Sequence, residues 1–509
     1  MNKSPPLMVI QESLGLVVIY CAFFAIAIWG AGKFHPVWLD EVALVEPATN
    51  LYFSGEFSST AWYHQSNESF HVGTSLLYTF LLSIWVKLLG FGIVRVRLFG
   101  YIVIATASFI LFKSVKRLHI VNYPYLRLLL VLTFLTIGGI NYIYISGRYD
   151  VICLFLSVLA IYSFSLKQGK LRTLVLLFIS ILFPLSGISA LVFAVLIAIA
   201  LLVFNYKLFW REVLAFIIGS AIGLLFLYIL YSINGVWGDF ISLVSGHSEV
   251  ATSKNFSYFI NLLITSAQKL TINSYGCEGC ITYKSSWRFL VVISLILVFH
   301  ELLTRTFKLC CLLFFGLVIA LTLPFAMCFL GKFPIYYSWM AILPLLLGIF
   351  SATNNMLEKY GFKLFSKNLI YLFISILLIL SMKIGLFEVF ATALQDRDFD
   401  ENQALSKFIN DNTNSDDIAY ADFSTFYSIK GTVDEVYFPL YSFQLQANER
   451  DSISVVILDG RQEKMAPWNP SLQQIFPETH ENWKDTGQHF VSPQYNLKVY
   501  KPRSKKLLY

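Results

Sequence analysis

Runs of about twenty apolar residues recur along this 509-residue chain, and they confine it to folds for which lipid replaces water as solvent. Leu14 to Ala31, Leu309 to Leu330 and Leu369 to Phe390 each approach the ~20 residues a helix needs to cross a bilayer. Only 14% of the residues are charged, where a soluble domain carries roughly a quarter, and the mean hydropathy is +0.65. About eleven spans are expected, beginning near Leu14, Ile93, Leu128, Val151, Leu174, Ile188, Val213, Phe289, Leu309, Ile335 and Leu369. The first reads as a retained span, because it lacks a small-residue cleavage pattern.

Charge orients these spans. The net charge of +7 is not a nucleic-acid footprint, since the basic residues are spread over short loops. Lys113, Lys116 and Arg117 form one such loop; Lys167, Lys170 and Arg172 form another. Lys207 with Arg211, Arg305 with Lys308, and Lys359, Lys363 and Lys367 supply the rest. Every second loop is basic, which assigns these to the cytoplasm and the alternate loops to the outside. His71 to Phe91 is apolar enough to span, but counting it would break the alternation, so it reads as a helix lying in the outer interface.

Two long outer loops follow from this topology, residues 32–92 and 232–287. From about Leu394 the chain turns polar, with Asp396, Arg397, Asp398, Asp400 and Glu401 in quick succession. A helix over Gln403 to Ile409 and strands at Ile418 to Ala421, Ser454 to Leu458 and Leu497 to Tyr500 are expected there. The fold class is thus a polytopic α-helical membrane protein, residues 1–390, with a small C-terminal α/β extracytoplasmic domain, residues 391–509.

Asp40-Glu41 is the polar feature that packing does not explain. The pair closes the stretch Phe34-His35-Pro36-Val37-Trp38-Leu39-Asp40-Glu41, just beyond the first span. A carboxylate at a membrane face can act as a general base or hold a cation; a solvated acidic pair is the plainer alternative. Arg148-Tyr149-Asp150 occupies a short loop on the same face in this topology. Two carboxylate clusters converging at one face make a catalytic or cation site. Cys21, Cys153, Cys310, Cys311 and Cys328 lie in apolar segments and read as ordinary small apolar residues. Cys277-Glu278-Gly279-Cys280 lacks further ligands at metal spacing and reads as a local disulfide in an oxidising compartment.

The order of these features resembles a known group. A first span is followed by an outer loop with an acidic pair, a histidine-headed interfacial helix, and Phe91-Gly92-Ile93-Val94-Arg95-Val96-Arg97 entering the next span. Arg148-Tyr149-Asp150 then precedes a further span. Over Leu14 to Leu166 the chain resembles the GT-C superfamily of membrane glycosyltransferases, close to protein O-mannosyltransferases and aminoarabinose transferase-like enzymes. The resemblance implies a lipid-phosphate-sugar donor, such as a polyprenyl-phosphate-linked monosaccharide, used at the outer face of the inner membrane. It implies that Asp40 acts on the acceptor, that Glu41 is an orienting or electrostatic partner, and that Asp150 is the second acidic position. Arg148 is then a candidate for the donor phosphate, with His71, Arg97 and Lys332 as further candidates. His71 is followed by Val72-Gly73, where relatives carry a proline.

The chemistry fits these residue types. A hydroxyl is a poor nucleophile at neutral pH, and a positioned base contributes ~10²–10⁴-fold. Arginine meets phosphate oxygens bidentately and stabilises the charge growing on the leaving group. Direct displacement with inversion needs no second nucleophile. A divalent cation on Asp40, Glu41 and Asp150 is left open, since the same side chains work as base and orienters without one. The acceptor is a glycan, a lipid or a protein; membrane lipids surround the spans, and nucleic acid is not expected. A transporter or flippase of lipid-linked sugars would place ionisable groups near mid-membrane. Here Lys383 and Glu388 fall near the outer end of a span and His300-Glu301 near the inner end of another. A polysaccharide polymerase is the other alternative, and an oligosaccharide transferase would be expected to carry a larger outer domain.

Overall fold

A computed structural model describes residues 6–33, 37–62, 70–246, 289–299, 311–329, 339–360, 401–443, 445–460, 472–476, 480–492 and 495–503, with isolated positions 287, 337, 386, 390, 391 and 394 between them. The chain is mostly helical. With no water to satisfy a backbone in hydrocarbon, apolar runs close their own hydrogen bonds as helices. In chain order these are α1 (Pro6–Gly30), α2 (Leu39–Phe53), α3 (Leu76–Leu89), α4 (Ile93–Arg117), α5 (Pro124–Thr136), α6 (Gly138–Ile145), α7 (Asp150–Ser163), α8 (Lys170–Ser186), α9 (Ile188–Ile233) and α10 (Trp237–Gly246). Helices Cys311–Phe329 and Trp339–Tyr360 follow.

Among the described residues, 4 helices are long and apolar enough to cross a membrane: Ile10–Gly30, Ile93–Arg117, Trp210–Ile233 and Trp339–Glu358. The α5–α6 pair, bent by 53°, makes a fifth if counted as one span. The bend sits at Ile137, whose extended backbone (ψ 135°) interrupts the helix ahead of Gly138 and Gly139. The spans expected near Ile188 and Val213 are joined within α9. Its contacts alternate between the two ends of the bundle: Ser189 meets Tyr149, Glu212 pairs with Arg172, and Tyr231 returns to Gly73. The span expected near Leu369, the Cys277–Cys280 pair and Lys332 lie outside the described residues. Helix α3 has 14 residues, about 21 Å of rise against a hydrocarbon core of about 30 Å.

Ion pairs mark the ends of the bundle. Glu12 of α1 pairs with Lys116 of α4 at 2.7 Å and with Arg127 of α5 at 2.6 Å. At the far end of the same two helices, Arg97 donates to the Ala31 carbonyl at 3.0 Å. Helices α1 and α4 are thus antiparallel, and the basic loop at Lys113–Arg117 lies at the opposite end from Arg97 and α2.

The C-terminal region forms a five-stranded sheet in the order β2-β1-β3-β5-β4. The strands are β1 (Ile418–Ala421), β2 (Glu435–Tyr437), β3 (Val455–Asp459), β4 (Trp483–Val491) and β5 (Asn496–Pro502), preceded by a helix over Glu401–Asn412. β1 runs parallel to both β2 and β3, whereas β5 is antiparallel to β3 and β4. Alternation decides which face meets the bundle. Ala419, Ala421, Val455, Ile457, Leu497 and Val499 join the apolar cluster that continues into the helices. Tyr420, Val456 and Leu458 build a second core on the other face.

Candidate active site

Asp40 and Glu41 open α2, where unpaired backbone amides and the positive end of the helix dipole favour carboxylates. Successive residues of a helix diverge by about 100°, so two adjacent carboxylates cannot serve one partner. They separate here. Asp40 turns to Arg148, and Glu41 turns to Arg97.

The first constellation is Asp40–Arg148–Asp150. Arg148 pairs through Nη1 with Asp40 Oδ2 and through Nε with Asp150 Oδ2, the latter at 2.9 Å. Trp339 Nε1 donates to Asp150 Oδ1 at 3.0 Å. Trp339 and Asp150 are fully buried and Arg148 is 4% exposed, while the Asp40 side chain keeps 30% of its surface accessible. Asp40 is therefore the carboxylate that a second molecule can reach. Burial pushes its carboxyl above the ordinary range, and the charge of Asp150 adds to this, outweighing the opposing pull of Arg148. Two aromatic rings stand beside the pair. Tyr142 lies 6.0 Å from the Arg148 guanidinium, and Trp38 packs against Tyr142 at 5.6 Å.

The second constellation is sealed. Arg97 clasps Glu41 through Nε–Oε1 (2.8 Å) and Nη2–Oε2 (2.7 Å), and Tyr427 of the C-terminal region donates to Glu41 Oε1 at 2.9 Å. Both side chains of the pair are 0% exposed. Gly147 permits the close approach: its φ is +65°, and a Cβ there would stand 2.9 Å from Glu41 Cγ. Its carbonyl is held by the Tyr78 hydroxyl at 2.6 Å. Gly147→Ala combines a left-handed backbone with a clash, and is expected to lower stability by ~1–2 kcal/mol. Thermal unfolding in detergent checks this; an unchanged midpoint would remove the steric argument.

Further along α2, Glu46 anchors the outer loop. It is fully buried and accepts from Ser59 Oγ (2.5 Å), the Thr60 amide (2.9 Å), Thr60 Oγ1 (2.8 Å) and Lys430 Nζ (3.1 Å). Burial raises its carboxyl, but Lys430 and the two hydroxyls outweigh it and hold the group below the usual range. His71 is 4% exposed, its amide donates to the Phe57 carbonyl, and its Nδ1 has no hydrogen-bond partner among the described residues. Burial lowers its pKa to about 4, against the opposing charge of Glu46, so the imidazole is neutral at pH 7. Gly73 leaves room for the ring, since a Cβ there would lie 2.4 Å from Nε2.

The structure thus brings Asp40, Arg148 and Asp150 into contact, places Glu41 with Arg97, and sets His71 against Phe57. Among the described residues, no group of three or more His, Cys, Asp or Glu side chains is placed to hold a metal ion. Sequence reasoning missed Trp339, Glu46, Tyr427 and Lys430. Glu46 did carry a signal, being one carboxylate within the otherwise uncharged run Val42-Ala43-Leu44-Val45-Glu46-Pro47-Ala48. The other three are recognisable only by their partners.

This architecture, a helical bundle followed by a small α/β region, is shared with two solved structures. The chain is similar to ArnT, the aminoarabinose transferase, from Cupriavidus metallidurans bound to undecaprenyl phosphate, with a TM-score of 0.59 over 95% of this chain and 97% of that one, at 11% identity. It is also similar to the oligosaccharyltransferase of Archaeoglobus fulgidus tethered with an acceptor peptide containing the NVT sequon, with a TM-score of 0.53 over 97% of this chain and 74% of that one, again at 11% identity. The resemblance read from the residues is borne out at the level of the fold. No family model and no curated protein matches the chain.

Proposed function

We propose that this protein is a membrane glycosyltransferase that moves a monosaccharide from a polyprenyl-phosphate-linked donor to an acceptor hydroxyl. The observation that carries this reading is the accessible Asp40 carboxylate, held against buried Arg148 and Asp150. The fold supports the reaction class, and the undecaprenyl phosphate bound to ArnT supports the donor class. Asp40 accepts the proton of the acceptor hydroxyl as that oxygen attacks the sugar carbon. The bond to the lipid phosphate breaks on the opposite side, giving inversion in one step. Arg148 orients Asp40 and adds positive potential for the departing phosphate.

Glu41 and Arg97 take a different part. Both are buried and bound to each other, so they act as a strut that sets α2 against α4. His71, neutral in its pocket, meets a phosphate only as a hydrogen-bond donor. Lys332, from the last short outer loop, supplies the cation for the donor phosphate. The site and residues 391–509 share the outer side of an inner membrane crossed by about eleven spans, with the basic loops in the cytoplasm.

The decisive assay incubates the purified protein in detergent with a labelled polyprenyl-phosphate monosaccharide and a cell-envelope acceptor extract. Label moving to acceptor is expected; a transporter or flippase of lipid-linked sugars would leave the label on the lipid. Arg148 already supplies the positive charge between Asp40 and Asp150. Transfer is therefore expected to survive EDTA, and loss on chelation with recovery on adding a divalent cation would contradict that part.

A further inference from the structure

We propose that the C-terminal region completes the transfer site: Tyr427 is a positioning residue that acts on Asp40 through Glu41, and Lys430 holds the same helix further along. This rests on the functional reading above.

The connection after β1 is rigidly set. Asp422 accepts from the Ser424 amide at 2.9 Å and from its hydroxyl at 2.7 Å, which fixes the turn. Phe426 meets Phe91 and Phe438 edge-on, each at 5.7 Å, and Tyr427 stacks on Phe91 at 5.5 Å. The Tyr427 hydroxyl is thus delivered to Glu41 Oε1, the oxygen that also takes Arg97 Nε. Three residues on, Lys430 reaches Glu46. Thr60, whose amide donates to Glu46, has its single hydroxyl hydrogen shared between Glu46 Oε1 and the Val436 carbonyl (2.5 Å), and its backbone carbonyl accepts from the Phe438 amide at 3.0 Å.

One connection therefore grips α2 at two heights, Glu41 and Glu46. Asp40 sits in the same first turn as Glu41, about 100° around the axis. A roll of α2 by about 10° would carry a side chain at about 6 Å radius through about 1 Å, and a misplacement of that size can cost about 10²-fold in rate. The grip on Glu41 resists that roll and so sets Asp40 against Arg148.

Tyr427→Phe keeps the ring and removes only the hydroxyl. Its kcat for sugar transfer is expected to fall about 10–10²-fold, with KM for donor and acceptor within about threefold. Because Tyr427 acts through Glu41, the loss should not add to that of Glu41→Gln in the double variant. Lys430→Met should shift kcat in the same way, and Lys430→Arg should restore it. Asp40→Asn is run beside them, since transfer surviving there strikes the functional reading itself. With Asp40→Asn inactive, wild-type kcat in Tyr427→Phe overturns the positioning role, and so does full additivity with Glu41→Gln. Should Glu41→Gln not be recovered folded, the Lys430 pair decides: wild-type kcat in Lys430→Met overturns the proposal.

Discussion

Asp40→Asn is expected to lower the turnover of sugar transfer by ~10²–10⁴-fold at neutral pH, the usual contribution of a general base. The substitution keeps the size of the side chain and removes its ability to take a proton. KM for the donor should change little, because the loss falls on the chemical step. Of the three residues in the cluster, Asp40 is the one with substantial accessible surface. The wild-type pH profile carries a signature of the same group. A base works only when ionised, so the rate rises with pH through its pKa and is flat above it. Burial and the charge of Asp150 hold Asp40 above the ordinary range. The acid limb is therefore expected above ~3.9, where an exposed aspartate titrates. Full activity in Asp40→Asn, or an acid limb at the ordinary position, would falsify its assignment as the base.

Removal of Arg148 has the second large effect. Its guanidinium touches Asp40 and Asp150 at once, and Asp150 is fully buried with Trp339 on its other oxygen. Arg148→Ala leaves a buried carboxylate unpaired, a change that typically costs ~3–5 kcal/mol. It is expected to lower the unfolding midpoint and abolish transfer together. Arg148→Lys separates the two consequences. A lysine keeps the charge, but one ammonium cannot reproduce the planar fork that spans both carboxylates. That variant should fold and lose about 10²-fold in kcat. A wild-type midpoint in Arg148→Ala would show that the bridge does not hold the site together.

The sequence announced the apolar helices and part of the sheet, because those signals are local. β1 and β3 were legible as short β-branched and apolar runs, and they appear at Ile418–Ala421 and Val455–Asp459. β4 was not, since Trp-Lys-Asp-Thr-Gly-Gln-His-Phe-Val is polar and lies at the sheet edge, where burial imposes little pattern. β2 has 3 residues, too few for any periodicity to show.

The candidate site divides along the same line. Read alone, the sequence established that carboxylates and an arginine stand at the ends of apolar helices. The alternation of basic loops placed them on one side, because loop charge is written within a few residues of each span. It did not separate the roles of Asp40 and Glu41, which look alike as neighbours. Tertiary structure separates them: the helical turn of about 100° sends one to Arg148, partly accessible, and the other to Arg97, sealed from water. Trp339 meets Asp150 across 189 positions and Tyr427 meets Glu41 across 386. Such partners are selected by packing between distant segments, and no local pattern of charge or hydropathy encodes them.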